Sequence, residues 1–416
     1  MSDFQRIVSV LPNGTTNHNI LRDAIALLDS ALESRGLEHV ILDGMADSFP
    51  HELIGLASDP ANAIYLGHRF YDMHLTYSDI GRSVRRNLFE VLDRPVFATI
   101  LDHPFSDFMW SRIAAASRTT HFLLPSPEFR AEARFINPQL EHFHSVSSAL
   151  TEPEVASQEL RPLSERPIDL FMPCAFIKGA TDLWEIRKDY ADQHSPMAGV
   201  IDEVYETGLH ERDRPLITLF LDAFERHYRR PLILEFPLRP RDFSMLDVLS
   251  NIDTRIRFER RMSTLRALAK LDPSLRIVVT GDPALRDTVP ELMDRPNIEL
   301  TARVESDLAR KILLHAKFAI NVLPTYVSMV TERVTNAMAL GCCVISDRNR
   351  HLAATFAEDR EILFMAGCDP AGLQRYFRED LGEAQAIAGR AQRKALAEFS
   401  VSRFADNILD VMQAVF

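Results

Sequence analysis

Two adjacent charged residues, Glu332 and Arg333, stand where an apolar strand gives way to a helix. The strand reads 318–323, and Pro324 ends it because proline has no backbone donor for a sheet. Ser328 or Thr331 can cap the following helix. Val334, Ala337 and Met338 fall on one helical face, and Gly341 suits a left-handed stop after it. A helix start of this kind offers unpaired N–H groups and the positive end of a dipole, which suits a diphosphate. Arg333 in the first turn can add a charge-assisted, bidentate contact, and Glu332 can accept hydrogen bonds from sugar or ribose hydroxyls. Taken singly, both have plainer readings: an acid in a first turn stabilises any helix, and an arginine there can be a solvated charge.

A second pair, Asp102 and His103, closes a strand at 96–102 in the motif Leu101-Asp-His-Pro-Phe105. Either side chain can take a hydroxyl proton near neutral pH; the plainer reading is an Asx turn before proline. Gly67-His68-Arg69, at the end of another strand, is a lesser candidate. His142 and His144 read as surface or strand residues. Arg260-Arg261, in the helical run Phe258-Glu-Arg-Arg-Met262, could approach phosphates, although a charged pair there is most often solvated. Trp110 and Trp184 read as core or interface residues. The four cysteines, Cys174, Cys342, Cys343 and Cys368, have no metal-ligand spacing and read as reduced structural thiols.

These residues need a scaffold, and the periodicity supplies one. Strands are expected at 6–11, 39–43, 64–67, 96–102 and 121–125, with helices between, for example 20–34 and 78–92. That alternation implies βαβ units and a parallel sheet. A polar, turn-rich stretch at 151–167 reads as the domain linker. Then 168–176 reads as a buried central strand. A long helical region follows at 182–270, with further strands at 276–281, 298–304, 318–323, 343–347 and 362–365. A last helix spans 403–416. The expected boundaries are 1–160 and 161–400, with 401–416 packing back on the first domain. Two doubly wound domains in tandem would leave a cleft at their carboxyl strand ends, where ligands bind in such sheets.

Bulk properties narrow the classes. The chain has 416 residues, a net charge of −12 and 46% hydrophobic residues. That acidity speaks against a nucleic-acid binder. No apolar run reaches membrane-spanning length, and the first residues lack a signal-peptide pattern. A cytoplasmic protein is the expectation.

The pattern Asn321-Val-Leu-Pro, Glu332-Arg-Val-Thr-Asn-Ala-Met-Ala-Leu-Gly341 and Ser346-Asp347 resembles the donor-binding core of GT-B glycosyltransferases. It is most similar to the CgeB-like branch of the glycosyl transferases group 1 set. Asp169-Leu-Phe-Met172, the strand before Gly281 and Ile362-Leu-Phe364 agree with it. The resemblance covers about the last 170 residues well. It implies a GT-B fold, α/β, with two Rossmann-like domains facing a cleft and a helical insertion in the second. It implies transfer of a sugar from a UDP- or GDP-sugar to an acceptor hydroxyl, with no other cofactor and no metal. The diphosphate would lie at 328–333, contacted by Ser328, Thr331 and Arg333, with Lys317 or Arg348 nearby and Tyr326 in the same loop. The nucleobase would lie against Gly281 and Asp282. Gly14, in a loop that faces the cleft in such proteins, would let the backbone approach a ligand. Asp102 or His103 would orient or deprotonate the acceptor. Many retaining members carry two glutamates eight positions apart; here those positions hold Ser328 and Asn336. Glu332, one turn before Asn336, would take the ribose role. Alternatives are a GT-B-fold sugar-nucleotide epimerase or a non-catalytic GT-B-like binding or scaffold protein. The acceptor class (glycan, protein, lipid-linked or small molecule) stays open.

Overall fold

A computed structural model describes residues 4–11, 20–67, 74–79, 82–147, 160–174, 181–191, 195–234, 236, 238, 240–281, 285–292, 294–302, 304 and 306–416. Two compact units emerge. Unit 1 comprises Met1–Ser148, Leu234–Leu246 and Val401–Phe416; unit 2 comprises Ala149–Ile233 and Asp247–Ser400.

In unit 1 the order is β1 (Arg6–Leu11), α1 (Ile20–Glu33), β2 (Glu38–Asp43), α2 (Phe49–Ser58), β3 (Asn62–Tyr65), β4 (His74–Asp79), β5 (Arg82–Asn87), α3 (Leu88–Leu92), β6 (Val96–Thr99), α4 (Asp107–Ala115), β7 (Thr120–Leu124), α5 (Glu128–Ile136) and β8 (Phe143–Ser145). Six strands form one sheet in the order β2-β1-β3-β6-β7-β8. All its pairs are parallel. β3, β6 and β7 are buried at every position, as expected of strands covered on both faces. The helix expected at 78–92 is not formed. β4 and β5 make an antiparallel hairpin with Asp79 opposite Arg82, and only Leu88–Leu92 is helical. Asn87 sets the start: its side chain accepts the Phe89 N–H at 3.0 Å, the bond that an N-cap supplies.

Unit 2 starts with β9 (Ile168–Met172). Helices α6 (Leu183–Ala191), α7 (Pro196–His210), α8 (Leu216–Tyr228) and α9 (Pro240–Leu268) follow. The first turns of α9, to Leu246, group with unit 1, although 182–270 reads in sequence as one insertion. Then come β10 (Ile277–Thr280), α10 (Leu285–Thr288), β11 (Ile298–Thr301), α11 (Ser306–Leu314), β12 (Ala316–Asn321), α12 (Glu332–Ala339), β13 (Cys343–Asp347), α13 (Arg350–Thr355), β14 (Leu363–Met365), α14 (Gln374–Arg378) and α15 (Leu381–Glu398). The last helix, α16 (Val401–Val415), belongs to unit 1. There Arg35 donates to Asp406 at 2.8 Å and to the Ser402 carbonyl at 2.9 Å.

The second sheet has the order β11-β10-β9-β12-β13-β14, again all parallel. Its order reverses between β9 and β12, and a doubly wound sheet binds ligands beyond the carboxyl ends of its strands at that point. One core, with Leu170, Ile320, Ile345 and Ile387, lies on one face of this sheet. The other, with Phe171, Ala319, Val334 and Met338, packs α12 against the opposite face. No helix among the described residues is long and apolar enough to cross a membrane.

Candidate functional site

The reversal point of the second sheet is where α12 begins. Thr331 takes the N-cap position in an extended conformation, but its side chain makes no cap bond. Its hydroxyl turns inward, 3.5 Å from Asn321 Oδ1, and Asn321 donates to Ser346 Oγ at 2.9 Å. Thr331 therefore braces the sheet, and its side chain is not offered to a ligand. Val334 N–H bonds to the Thr331 carbonyl at 3.0 Å. The N–H groups of Glu332 and Arg333 have no partner among the described residues, which is the anion-receptive state of a helix start. Glu332, Arg333, Asn336 and Ser328 are half-buried, and Tyr326 is buried.

The charge around this helix start is unusual. Arg261, on α9, is only 8% exposed. Burial first, and then the neighbouring Arg333, pull its pKa down to about 10; Arg257 adds to this, while Cys174 and Tyr326 oppose it. Cys174 follows β9, and burial pushes its thiol up to about 11 against the opposing pull of Arg261 and Arg333. Arg333 Nη1 lies 3.5 Å from the Pro173 carbonyl. Arg261, Arg333, Tyr326 and Cys174 thus share the space beyond β9 and β12. A buried arginine repelled by a half-buried one costs free energy that an anionic ligand would offset.

Its neighbour Arg260 does different work. It is 3% exposed and donates to the carbonyls of Pro324 at 3.0 Å, Gly208 at 2.5 Å and Glu211 at 2.9 Å. Neither arginine is the solvated pair that the sequence suggests. The missed signal is that α9 is buried on more than one face. Ile252, Ile256, Leu265 and Leu268 are buried, and so are Asp253, Arg260 and Thr264. Asp253 holds Arg257 at 2.6 Å and accepts the Thr325 hydroxyl.

Two expected helpers lie elsewhere. Lys317 pairs with Asp169 at 2.6 Å, at the second positions of β12 and β9, which is the amino end of both strands and not the ligand end. Arg348 pairs with exposed Glu358 and lies over the Phe364 ring at 5.1 Å. Gly281 is buried, with its N–H on the Thr301 carbonyl at 2.7 Å. Gly14, Asp282, His68 and Arg69 lie outside the described residues. A cavity of about 310 Å³ in unit 2 is lined by Arg161, Arg166, Gly341, Gln385 and Gln392. It sits at the other end of α12. There Arg166 donates to the carbonyls of Ala316 at 2.9 Å and Leu340 at 3.0 Å, so its guanidinium already serves the fold.

In unit 1 the Asp102-His103 turn follows β6. Asp102 is half-buried, whereas His103 is 1% exposed. His103 Nδ1 accepts the Phe105 N–H at 3.3 Å, and Nε2 faces Glu132 at 3.5 Å. The rings of Phe105 and Phe129 pack against it, at 5.5 and 6.0 Å. With both nitrogens engaged inside the unit, His103 is not placed to take a substrate proton. It buttresses the turn, and Asp102 is left as the candidate base. Three more histidines form a stack on β7, on β8 and just before β8. His121 lies 4.3 Å from His142 and 5.3 Å from His144, ring to ring. Trp110 is half-buried, and Trp184 is 58% exposed, outside any core.

Comparison with known proteins gives this geometry its class. Residues 260–410 match the model of a family described as glycosyl transferase-like. Solved structures align over nearly the whole chain. HepE of Anabaena, in complex with UDP-glucose, gives a TM-score of 0.53 at 10% identity, covering 98% of this chain and 99% of that one. An alpha-glucosyltransferase in complex with UDP and a 13-mer DNA gives 0.55 at 10%, covering 98% and 99%. Sucrose-phosphate synthase from Thermosynechococcus elongatus gives 0.51 at 12%, covering 99% of each. No curated protein matches the sequence. The fold is GT-B, as in these structures, and residues 260–410 match the glycosyl transferase-like family model.

Proposed function

We propose that the chain transfers a sugar from a nucleoside-diphosphate sugar to an acceptor hydroxyl, with the donor diphosphate at the start of α12. The observation that carries this reading is the buried Arg261 beside Arg333, at the one point where the second sheet reverses order. In the reaction the bond from the anomeric carbon to the phosphate oxygen breaks, and its electron pair stays on phosphate. The acceptor oxygen bonds to that carbon and loses its proton. Arg261, Arg333 and the N–H groups of Glu332 and Arg333 would hold the charge that grows on the leaving phosphate. Glu332 and Asn336, one turn apart, would take the ribose hydroxyls. Asp102 would be the acceptor-side base. A uridine donor is the first to test, because two of the structurally similar proteins hold UDP or UDP-glucose.

The test is titration with UDP, UDP-glucose, GDP and GDP-mannose by calorimetry, followed by measurement of UDP release from UDP-glucose. Binding of one nucleoside diphosphate, weakened at least tenfold by Arg333→Ala, supports the reading. Absence of binding to every donor in the panel would refute it.

A further inference from the structure

Asp347 is completely buried at the carboxyl end of β13, so it cannot touch a substrate, yet its carboxylate reaches toward the candidate donor site. One oxygen accepts the Leu323 N–H at 2.6 Å, at the first residues of the loop leading to α12. The other lies 3.1 Å from Arg212 Nε and has no aligned hydrogen-bond donor among the described residues. Arg212 follows α7. It donates to the Leu209 carbonyl at 2.6 Å and to Cys368 Sγ at 3.4 Å.

The contacts around this pair tie together three pieces of chain, the corner after α7, the loop before α12 and the turn after β13. Arg260 bridges the Pro324 carbonyl to those of Gly208 and Glu211. Asp213 accepts the Arg350 N–H at 2.6 Å. Asn349 donates to the Val327 carbonyl at 3.2 Å. The corner between α7 and α8 and the loop before α12 are therefore held as one body, with the Asp347 carboxylate between them. A backbone loop held by a charged acceptor is fixed more tightly than by neutral bonds.

We propose that Asp347 and Arg212 are a positioning pair that sets the backbone of the 322–331 loop, so that the helical insertion governs donor affinity from outside the site. This rests on the donor reading given above. Arg333 and the first N–H groups of α12 follow directly from that loop, and a displacement of about 1 Å in such groups is enough to lose much of their value to a charged ligand.

The test uses Asp347→Asn and Arg212→Met in the full chain. Both variants should raise the Kd for UDP and the KM for UDP-glucose by about tenfold, with kcat for UDP release within about twofold of the parent. Hydrogen exchange of the ligand-free protein should quicken at the Leu323 amide and across 322–331, while β9 and β10 stay protected. Arg212→Met carries the test if Asp347→Asn does not fold, because the carboxyl it leaves can take up a proton. Unchanged UDP affinity in a folded variant overturns the proposal, as does a loss of kcat at constant KM. If the parent itself binds no nucleotide, the donor reading fails. The exchange experiment then still decides whether the pair fixes the loop, and unchanged protection at Leu323 overturns it.

Discussion

Replacing Arg261 by methionine should stabilise the ligand-free protein and abolish diphosphate binding, two effects of opposite sign from one change. The pKa of Arg261 falls from 12.5 to about 10, with burial the main cause and Arg333 the next. That displacement corresponds to about 3 kcal/mol spent on keeping the guanidinium charged in place. Methionine matches the length of the side chain and carries no charge to desolvate. Buried charges exchanged for apolar groups of similar volume are often neutral to stabilising by about 1–4 kcal/mol. Loss of the polar contacts that Arg261 makes returns about 1 kcal/mol. The net expectation is a gain of about 1–2 kcal/mol, or a rise of about 2–8 °C in the melting temperature of a unit this size. With UDP the order reverses: the parent gains stability from saturating ligand, and Arg261→Met gains none. Calorimetric melting with and without UDP reads both effects. A variant that melts lower than the parent without ligand, yet binds UDP equally well, would show that Arg261 is a structural residue.

Gly341→Ala should cost about 1–2 kcal/mol or more, read by chemical denaturation, because Gly341 has φ of +71°, a region that costs an L-residue about that much. A Cβ there would also stand 2.8 Å from Leu160 Cδ1 and 3.0 Å from Arg166 Nη2. Asp102→Asn should lower UDP release to an acceptor with little change in melting temperature. His103→Gln should do the reverse, lowering stability by about 1–3 kcal/mol because it removes the ring nitrogen that faces the buried Glu132; similar activity losses in both at parental stability would restore His103 as a base. Burial, and then His142 and His144, pull the pKa of His121 down from 6.5 to about 4. The folded form is thus neutral where the unfolded chain takes up a proton, so stability should fall as pH drops from about 6.5 to about 4. His121→Phe should flatten that slope in pH-dependent denaturation, and an unchanged slope would refute the assignment.

Much of this architecture is legible in the sequence because the hydrophobic pattern and the fold are one constraint. The strand at Arg6–Leu11 and that at Cys343–Asp347 are fully specified by apolar runs bounded by polar residues. The helix start at Glu332 is legible through Pro324 before it and Gly341 after it. The β4–β5 hairpin is not. Its strand Arg82–Asn87 carries three arginines, and charged residues there merge by eye with the true helix at Leu88–Leu92. The inward turn of the Thr331 hydroxyl and the engagement of both His103 nitrogens depend on partners 10 and 29 residues away, which spacing alone does not reveal.

The burial of Arg261 is not legible in the sequence, and the reason lies in α9. A 29-residue helix with a mixed surface looks in sequence like one that bridges solvent. In the fold its polar residues are sorted by partner. Arg257 is neutralised by Asp253, and Arg260 is spread over backbone carbonyls that need a donor. Arg261, one residue on and about 100° further round the helix, meets another arginine. A structural role is best served by the first two arrangements, which lower the free energy of the fold without help. In the third, repulsion from Arg333 opposes the contacts that Arg261 makes, and an anion would relieve it. A buried arginine beside a second arginine is a place where an anionic ligand is favoured. Its position beyond β9 and β12 is the place where a doubly wound sheet presents such a ligand.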